Sequence, residues 1–211
     1  MRLERYSVEL ESLRSDHLEM VRLWRNQDYV RQNMQFQQEL TREDQEKWFE
    51  NLDLECNLYW IIRSHGYPIG LVHIKNIDED LTEGEAGIFV GEPSYLEMPQ
   101  PMLAILFMME LSFLGLGIKR LKAKIKSGNQ HAISFNQKLG YELKPGQPEG
   151  FQYYYVGAED FLRTTARIRA QSTHMFGSAT LVTEIEKPNA LNSELIKGLS
   201  RSDEHFRPKF I

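Results

Sequence analysis

Apolar residues alternate with polar ones from Leu3 to Leu13, the pattern of a half-buried strand. Ser15-Asp16 then offers an N-cap for a helix from about His17 to Asn26, with Leu18, Val21, Leu23 and Trp24 as its apolar positions. Tyr29–Met34 continues it after a break. Thr41-Arg42-Glu43-Asp44 is a capping box that opens a second helix, whose expected buried face is Trp48, Phe49 and Leu52. Leu58–Ser64 and Tyr67–Ile77 read as two strands joined at Ser64-His65-Gly66, a hairpin signal, and Glu85–Val90 as a third after the acidic turn Asp78–Glu85. A hydrophobic helix follows (Pro101–Gly115), then a strand (Leu121–Ser127). Asn129 is placed to cap a short amphipathic helix with Ala132, Phe135 and Leu139 on one face. Gly140 suits a left-handed stop. Tyr141–Lys144 and Phe151–Val156 form a last antiparallel pair around Pro145-Gly146-Gln147-Pro148. Beyond Gly157 a helix over Ala158–Ala170 carries Phe161, Leu162 and Ile168, and residues 171–211 are mostly polar without strong periodicity.

These patterns divide the chain into a domain over 1–157 and an extension over 158–211, the latter a helix plus an irregular tail. The tail's apolar residues (Met175, Phe176, Leu181, Val182, Leu195, Ile196, Phe206, Phe210 and Ile211) are too sparse for a core of their own. With the Phe161–Leu162–Ile168 stripe they suggest packing on a second copy, a homodimer, or on the chain's own domain.

Composition narrows the class. The chain has 211 residues, 41% hydrophobic and 26% charged, as expected of a globular protein with a real core. Its net charge of −5 argues against nucleic acid as a bulk partner. Cys56 is the single cysteine, so there is no disulfide framework, and a cytoplasmic setting is the expectation. The six histidines show no ligand spacing, so no metal is expected. The start of the chain lacks the apolar run of a secretory signal. Pro101–Ile118 is apolar enough to consider as a membrane span, but it contains Glu110 and lacks a basic N-terminal flank, so a buried helix is expected and no membrane.

Two groups of residues resemble a known family. The first is the order helix, strand, Asn129-capped helix, Leu139-Gly140-Tyr141. The second is Trp24-Arg25-Asn26, Arg31, Met34 and the later Gln45-x-x-Trp48-Phe49. Together they resemble GNAT N-acetyltransferases, in particular the RimJ/RimL-like branch, and are similar to enzymes that acetylate amino groups on nucleotide-linked sugars. Gln45 stands where that pattern has histidine. The resemblance covers roughly residues 3–157. It implies an α/β GNAT fold, a mixed and mostly antiparallel sheet flanked by helices, with acetyl-CoA as cosubstrate and acyl transfer to a small-molecule amine.

The same resemblance places candidate residues. A backbone N–H within Gly87-Ile88-Phe89-Val90 would polarise the thioester carbonyl. Glu85 or His73 would take the amine proton, histidine being suited by its near-neutral titration. Arg25, Asn26, Arg31 and Trp48 would meet a polar, phosphate-bearing acceptor, guanidinium forks being matched to phosphate. Alternatively Arg25 and Asn26 hold the connection between the first two helices. The cosubstrate diphosphate would lie against the N–H groups of Met102, Leu103 and Ala104 at a helix start, with the adenosine near Asn129.

Two departures bear on activity. Asn136 occupies the position of a tyrosine acid, and a thiolate of pKa about 8.5 tolerates that loss. Leu96-Glu97-Met98-Pro99-Gln100-Pro101 replaces the glycine-rich phosphate loop, and proline has no N–H to offer. Three functions follow in order of preference: N-acetylation of a nucleotide-linked amino sugar, N-terminal acetylation of proteins, and a binding or assembly module that has lost catalysis.

Overall fold

The computed structural model describes residues 1–177, 180–183, 190–201 and 208–210. One mixed sheet runs through it in the order β10-β9-β1-β2-β3-β4-β5-β6-β8-β7. Its strands are β1 (Arg2–Arg5), β2 (Val8–Ser12), β3 (Leu58–Ser64), β4 (Tyr67–Lys75), β5 (Glu83–Val90), β6 (Arg120–Lys126), β7 (Glu142–Leu143), β8 (Phe151–Gly157), β9 (Thr180–Thr183) and β10 (Pro208–Phe210). The helices are α1 (Leu18–Asn26), α2 (Asp28–Arg31), α3 (Arg42–Glu50), α4 (Gln100–Glu110), α5 (Gln130–Gln137), α6 (Ala158–Phe176) and α7 (Ala190–Arg201).

The first expected strand is a hairpin. Tyr6 and Ser7 both adopt positive φ (56° and 61°), so the chain reverses between Arg5 and Val8 without a glycine. A two-residue turn of this hand matches strand twist, and it shifts the inward positions by one residue, from Leu3 and Arg5 to Val8 and Leu10. His65 and Gly66 (φ 50° and 79°) turn β3 into β4 in the same way, as expected. Thr41 caps α3, its side chain accepting from Asp44 N–H while Asp44 answers the Thr41 N–H. The residue that α3 buries is Gln45, whereas Trp48 is 37% exposed. Ser15 and Asp16 do not cap α1: they lie in a short 3-10 turn (Ser15–His17) that leads into it.

The sheet has two unlike faces. One is filled by Trp60, Ile62, Val72, Ile74, Leu121, Ile125 and Tyr154, packed against α4. This helix is apolar all round because it is enclosed, from Leu103 to Glu110. Its last turns are π-helical (Leu111–Leu116), closed by Gly117 at φ 77°. No helix among the described residues is long and apolar enough to cross a membrane. The other face is covered by α1–α3 over β2–β4 and the end of β5, where Ile61, Leu71 and Phe89 meet Val21 and Trp24. The half made by β6 and β8 carries none of these helices and is reached by Gln32 and Gln35 at Lys126 and Lys124. Trp24 lies directly on Gly91: a Cβ there would come 2.1 Å from its ring. Gly91→Ala is therefore expected to push α1 outward and to cost about 1–3 kcal/mol in urea unfolding, the usual penalty of overpacking.

The described residues of 171–211 are more regular than their composition suggests. α6 runs on to Phe176, β9 pairs antiparallel with β1, β10 pairs parallel with β9, and α7 buries Leu191, Leu195 and Leu199. Gly198 of α7 meets Gly115 backbone to backbone, an approach that a Cβ at Gly198 would block at 1.6 Å. The stripe expected to face a second copy packs on the chain's own core. Phe161 is fully buried, 5.3 Å from Phe113 between ring centroids, and Leu162 and Ile168 pack against the same cluster. Phe206 and Ile211 lie outside the described residues.

Candidate active site

The parallel pair β5–β6 is short. Glu83–Glu85 pair with Arg120–Lys122, and the strands then part. Gly91 N–H donates to Ile69 O, and antiparallel pairing alternates from there. The main-chain groups of Glu85, Gly87 and Phe89 therefore point to β4, and those of Ile88 and Val90 point into the gap toward β6. Val90 O already accepts from the Tyr29 hydroxyl at 3.2 Å. The gap opens into a cavity of about 830 Å³ that passes through the sheet between its two faces. On the α4–α5 side it is lined by Met102, Ile105, Asn129, Ala132, Phe135, Asn136 and Tyr141; on the α1–α3 side by Arg25, Gln45, Trp48, Tyr59, His73 and Glu85.

Several expected residues meet here. The Glu85 carboxylate, half-buried, pairs with Lys75 at 2.9 Å. The His73 ring lies over Gly87, where a Cβ would come within 2.5 Å, and stacks on Tyr59 at 5.0 Å. Trp48 meets Tyr59 edge-on at 5.2 Å, so three rings run from the mouth to β5. Burial, with Lys75 and Arg25 adding to it, pushes the His73 imidazole down to about 3, and its Nδ1 has no partner. The ring is thus neutral at physiological pH. The unfolded chain binds that proton near pH 6.5 and the folded one does not, so the stability present above about 6.5 falls as the pH drops toward 3. His73→Phe is expected to flatten this part of a stability–pH curve measured by urea unfolding. Arg25 is largely buried, its Nε without a partner, and desolvation pulls its pKa down. Asn129 caps α5, its Oδ1 accepting from Ala132 N–H at 3.0 Å, and Asn136 donates to Ala132 O at 2.8 Å.

Other expected residues lie elsewhere. Asn26 bonds Leu40 in both directions, at 2.9 and 2.8 Å, and so ties the 27–40 loop to α1. Arg31 pairs with Asp28 at 2.6 Å and does not line the cavity. Leu103 and Ala104 belong to the core. With Pro99 as N-cap, Leu103 N–H donates to Pro99 O at 3.0 Å and Ala104 is inside the helix, which leaves the N–H groups of Gln100 and Met102 at its start. The Glu97 carboxyl side chain also lines the cavity there.

Two cavity residues carried no role in the sequence reading. Gln45 is 4% exposed where the resembling pattern has histidine. Tyr141 is buried at the end of α5, and burial raises its phenol well above the usual range, so it stays protonated. The leucine-glycine-aromatic stop was its only signal. Among the described residues no group of three or more His, Cys, Asp or Glu could hold a metal ion.

The sequence matches the family model described as Acetyltransferase (GNAT) domain over residues 7–142. No curated protein matches the chain. Solved structures share the fold. The aminoglycoside acetyltransferase AAC(6′)-Ib in complex with coenzyme A is 20% identical, with a TM-score of 0.65 over 75% of this chain and 99% of that one. The spermidine N-acetyltransferase of Vibrio cholerae, in complex with coenzyme A and spermine, is 15% identical, with a TM-score of 0.65 over 74% and 98%. FdhC, described as a nucleotide-linked sugar GNAT, is 18% identical, with a TM-score of 0.67 over 80% and 97%.

Proposed function

The chain belongs to the GNAT acetyltransferase family, and on that premise we propose that it acetylates the amino group of a small polar acceptor, an amino sugar carried on a nucleotide, with acetyl-CoA as the donor. The observation that carries this reading is the through-sheet cavity at the β5–β6 gap, with donor and acceptor walls of different chemistry. Acetyl-CoA would supply the acyl group as a thioester. The N–H groups of Ile88 and Val90 suit its carbonyl, since fixed donors in a dry cleft favour the charge that develops on that oxygen. Met102, Ile105 and Phe135 suit an apolar arm, and the free N–H groups of Gln100 and Met102 suit a phosphate at the helix start, with Glu97 weakening that site.

On the opposite wall, Trp48 and Tyr59 offer ring faces to a sugar, and Arg25 offers an unpaired guanidinium to an anionic or hydroxyl group. We assign proton acceptance from the amine to Glu85. An imidazole held at about 3 is a weak base, and His73, neutral in the cavity wall, is better suited to hydrogen-bond the acceptor. Tyr141, kept protonated by burial, is a poor acid toward a thiolate and suits at most a hydrogen bond to the departing sulfur, so the thiolate leaves as such in keeping with its low pKa.

Calorimetric titration tests the reading. Acetyl-CoA is expected to bind, and coenzyme A to compete for the same site. No heat at millimolar acetyl-CoA would leave only the module without catalysis. Binding followed by acetylation of peptide N-termini and of no amino sugar would favour the protein-directed reading.

A further inference from the structure

The β6–β8 half of the sheet carries a second array of groups that these steps do not use. Cross-strand partners share a face, so register fixes what stands beside what. Lys122 is opposite Tyr155, Lys124 opposite Tyr153 and Lys126 opposite Phe151, with Glu142 opposite Tyr155 on the far side. Through Glu85, paired with Lys122, this row is continuous with the acceptor wall. The core side of β6 is taken by Leu121, Ala123 and Ile125. Lysines and tyrosines therefore alternate over the solvent face of β6 and β8. Lys124 Nζ lies 5.3 Å and Lys122 Nζ 5.9 Å from the Tyr153 ring centre, and Lys144 Nζ lies 5.7 Å from that of Tyr155.

Charge is concentrated at one end of this row. Arg120 and Lys122 are both bound by Glu83, at 2.6 and 2.7 Å. Lys124 and Lys126 have no carboxylate partner among the described residues: they donate to Gln35 Oε1 at 3.0 Å and to Gln32 O at 3.2 Å. Both line the cavity with Phe151. Two unneutralised cations beside the rings of Tyr153 and Phe151, in a chain of net charge −5, form a local site for an anion bearing a flat group.

We propose that Lys124 and Lys126, with Tyr153 and Phe151 beside them, hold the nucleoside diphosphate part of the acceptor. This rests on the amino-sugar reading above and locates the subsite that would read the nucleotide. The lysine ammoniums meet the diphosphate oxygens, and the base lies on the Tyr153 ring. The cavity then receives the sugar, with its amine toward Glu85. The occupant belongs to the acceptor and not the donor, because the α4–α5 wall lies on the opposite face of the sheet.

Uridine 5′-diphosphate, titrated calorimetrically into the intact protein, provides the test. It is expected to bind, to bind more weakly as salt rises from 50 to 300 mM, and to bind equally well when coenzyme A is saturating. The double variant Lys124→Gln/Lys126→Gln is expected to lose tenfold or more in affinity, the scale of a charge-assisted contact. Lys197→Gln, on α7, is expected to change nothing, and thermal unfolding checks that both variants remain folded. Several results would overturn the proposal: no binding of the diphosphate at millimolar concentration, equal binding by the double variant, an equal loss in Lys197→Gln, or displacement by coenzyme A. Failure of the acetyltransferase reading shows separately, as absence of heat with acetyl-CoA.

Discussion

Glu110→Ala is expected to destabilise the protein by about 3–5 kcal/mol, the usual result of breaking a buried ion pair by removing one partner. Glu110 is wholly buried at the last position of α4, where the helix passes into its π-helical turns. Its carboxylate accepts from Arg5 Nε at 3.0 Å, the Tyr6 hydroxyl at 2.9 Å and Arg169 Nε at 2.7 Å. Those partners come from the N-terminal hairpin and from α6, so one side chain joins three distant parts of the chain. Removing it takes the Glu110 carboxylate away from Arg5, itself 4% exposed, and from Arg169. In a chain of this size each kcal/mol moves the midpoint by roughly 2–4 °C, so a fall of roughly 6–20 °C is expected in thermal unfolding. Glu110→Gln keeps acceptor oxygen and shape and is expected to lose less. A change under 1 kcal/mol in Glu110→Ala would mean that the network adds little beyond shape.

The largest effect on activity is expected at Glu85. Glu85→Gln is close to isosteric and removes the charge that accepts the amine proton, so kcat/KM is expected to fall about 10²-fold or more. The deficit is expected to shrink as pH rises from 6 to 9, because the fraction of acceptor already neutral increases and the base matters less. His73→Asn is expected to raise KM for the acceptor more than it lowers kcat, and to leave the shape of the pH profile unchanged, since a group held at about 3 does not titrate in that range. Full activity of Glu85→Gln across the range would remove Glu85 from the reaction.

Local chemistry was legible in the chain wherever it acts over a few residues. The Thr41 capping box, the Asn129 cap, the Gly140 stop and the His65-Gly66 turn each satisfy or redirect neighbouring backbone, and each stands where the pattern puts it. Strand and helix order followed from periodicity because burial on one face repeats every second residue in a strand and about every 3.6 in a helix. Tyr6-Ser7 escaped, since no glycine marks the turn and it shifts the alternation by only one residue. The tail escaped because its strands and α7 are held by β1 and by Gly115, partners far away in sequence.

The site divides the same way. The family resemblance was enough to point to the cavity strand and to Arg25, Trp48, His73, Glu85, Asn129 and Asn136, which the fold brings to one cavity. Only the tertiary structure decided what those groups can do. Burial by β4, β5 and Tyr59 makes His73 neutral, and Leu40 occupies both hydrogen-bonding ends of Asn26. The early start of α4 at Pro99 takes up the Leu103 N–H. The protonation state of a side chain, and whether its polar atoms are free, depend on distant neighbours that set dielectric and hydrogen bonding. Sequence spacing records neither, so the resemblance named the residues, and the packing of separate strands and helices determined their chemistry.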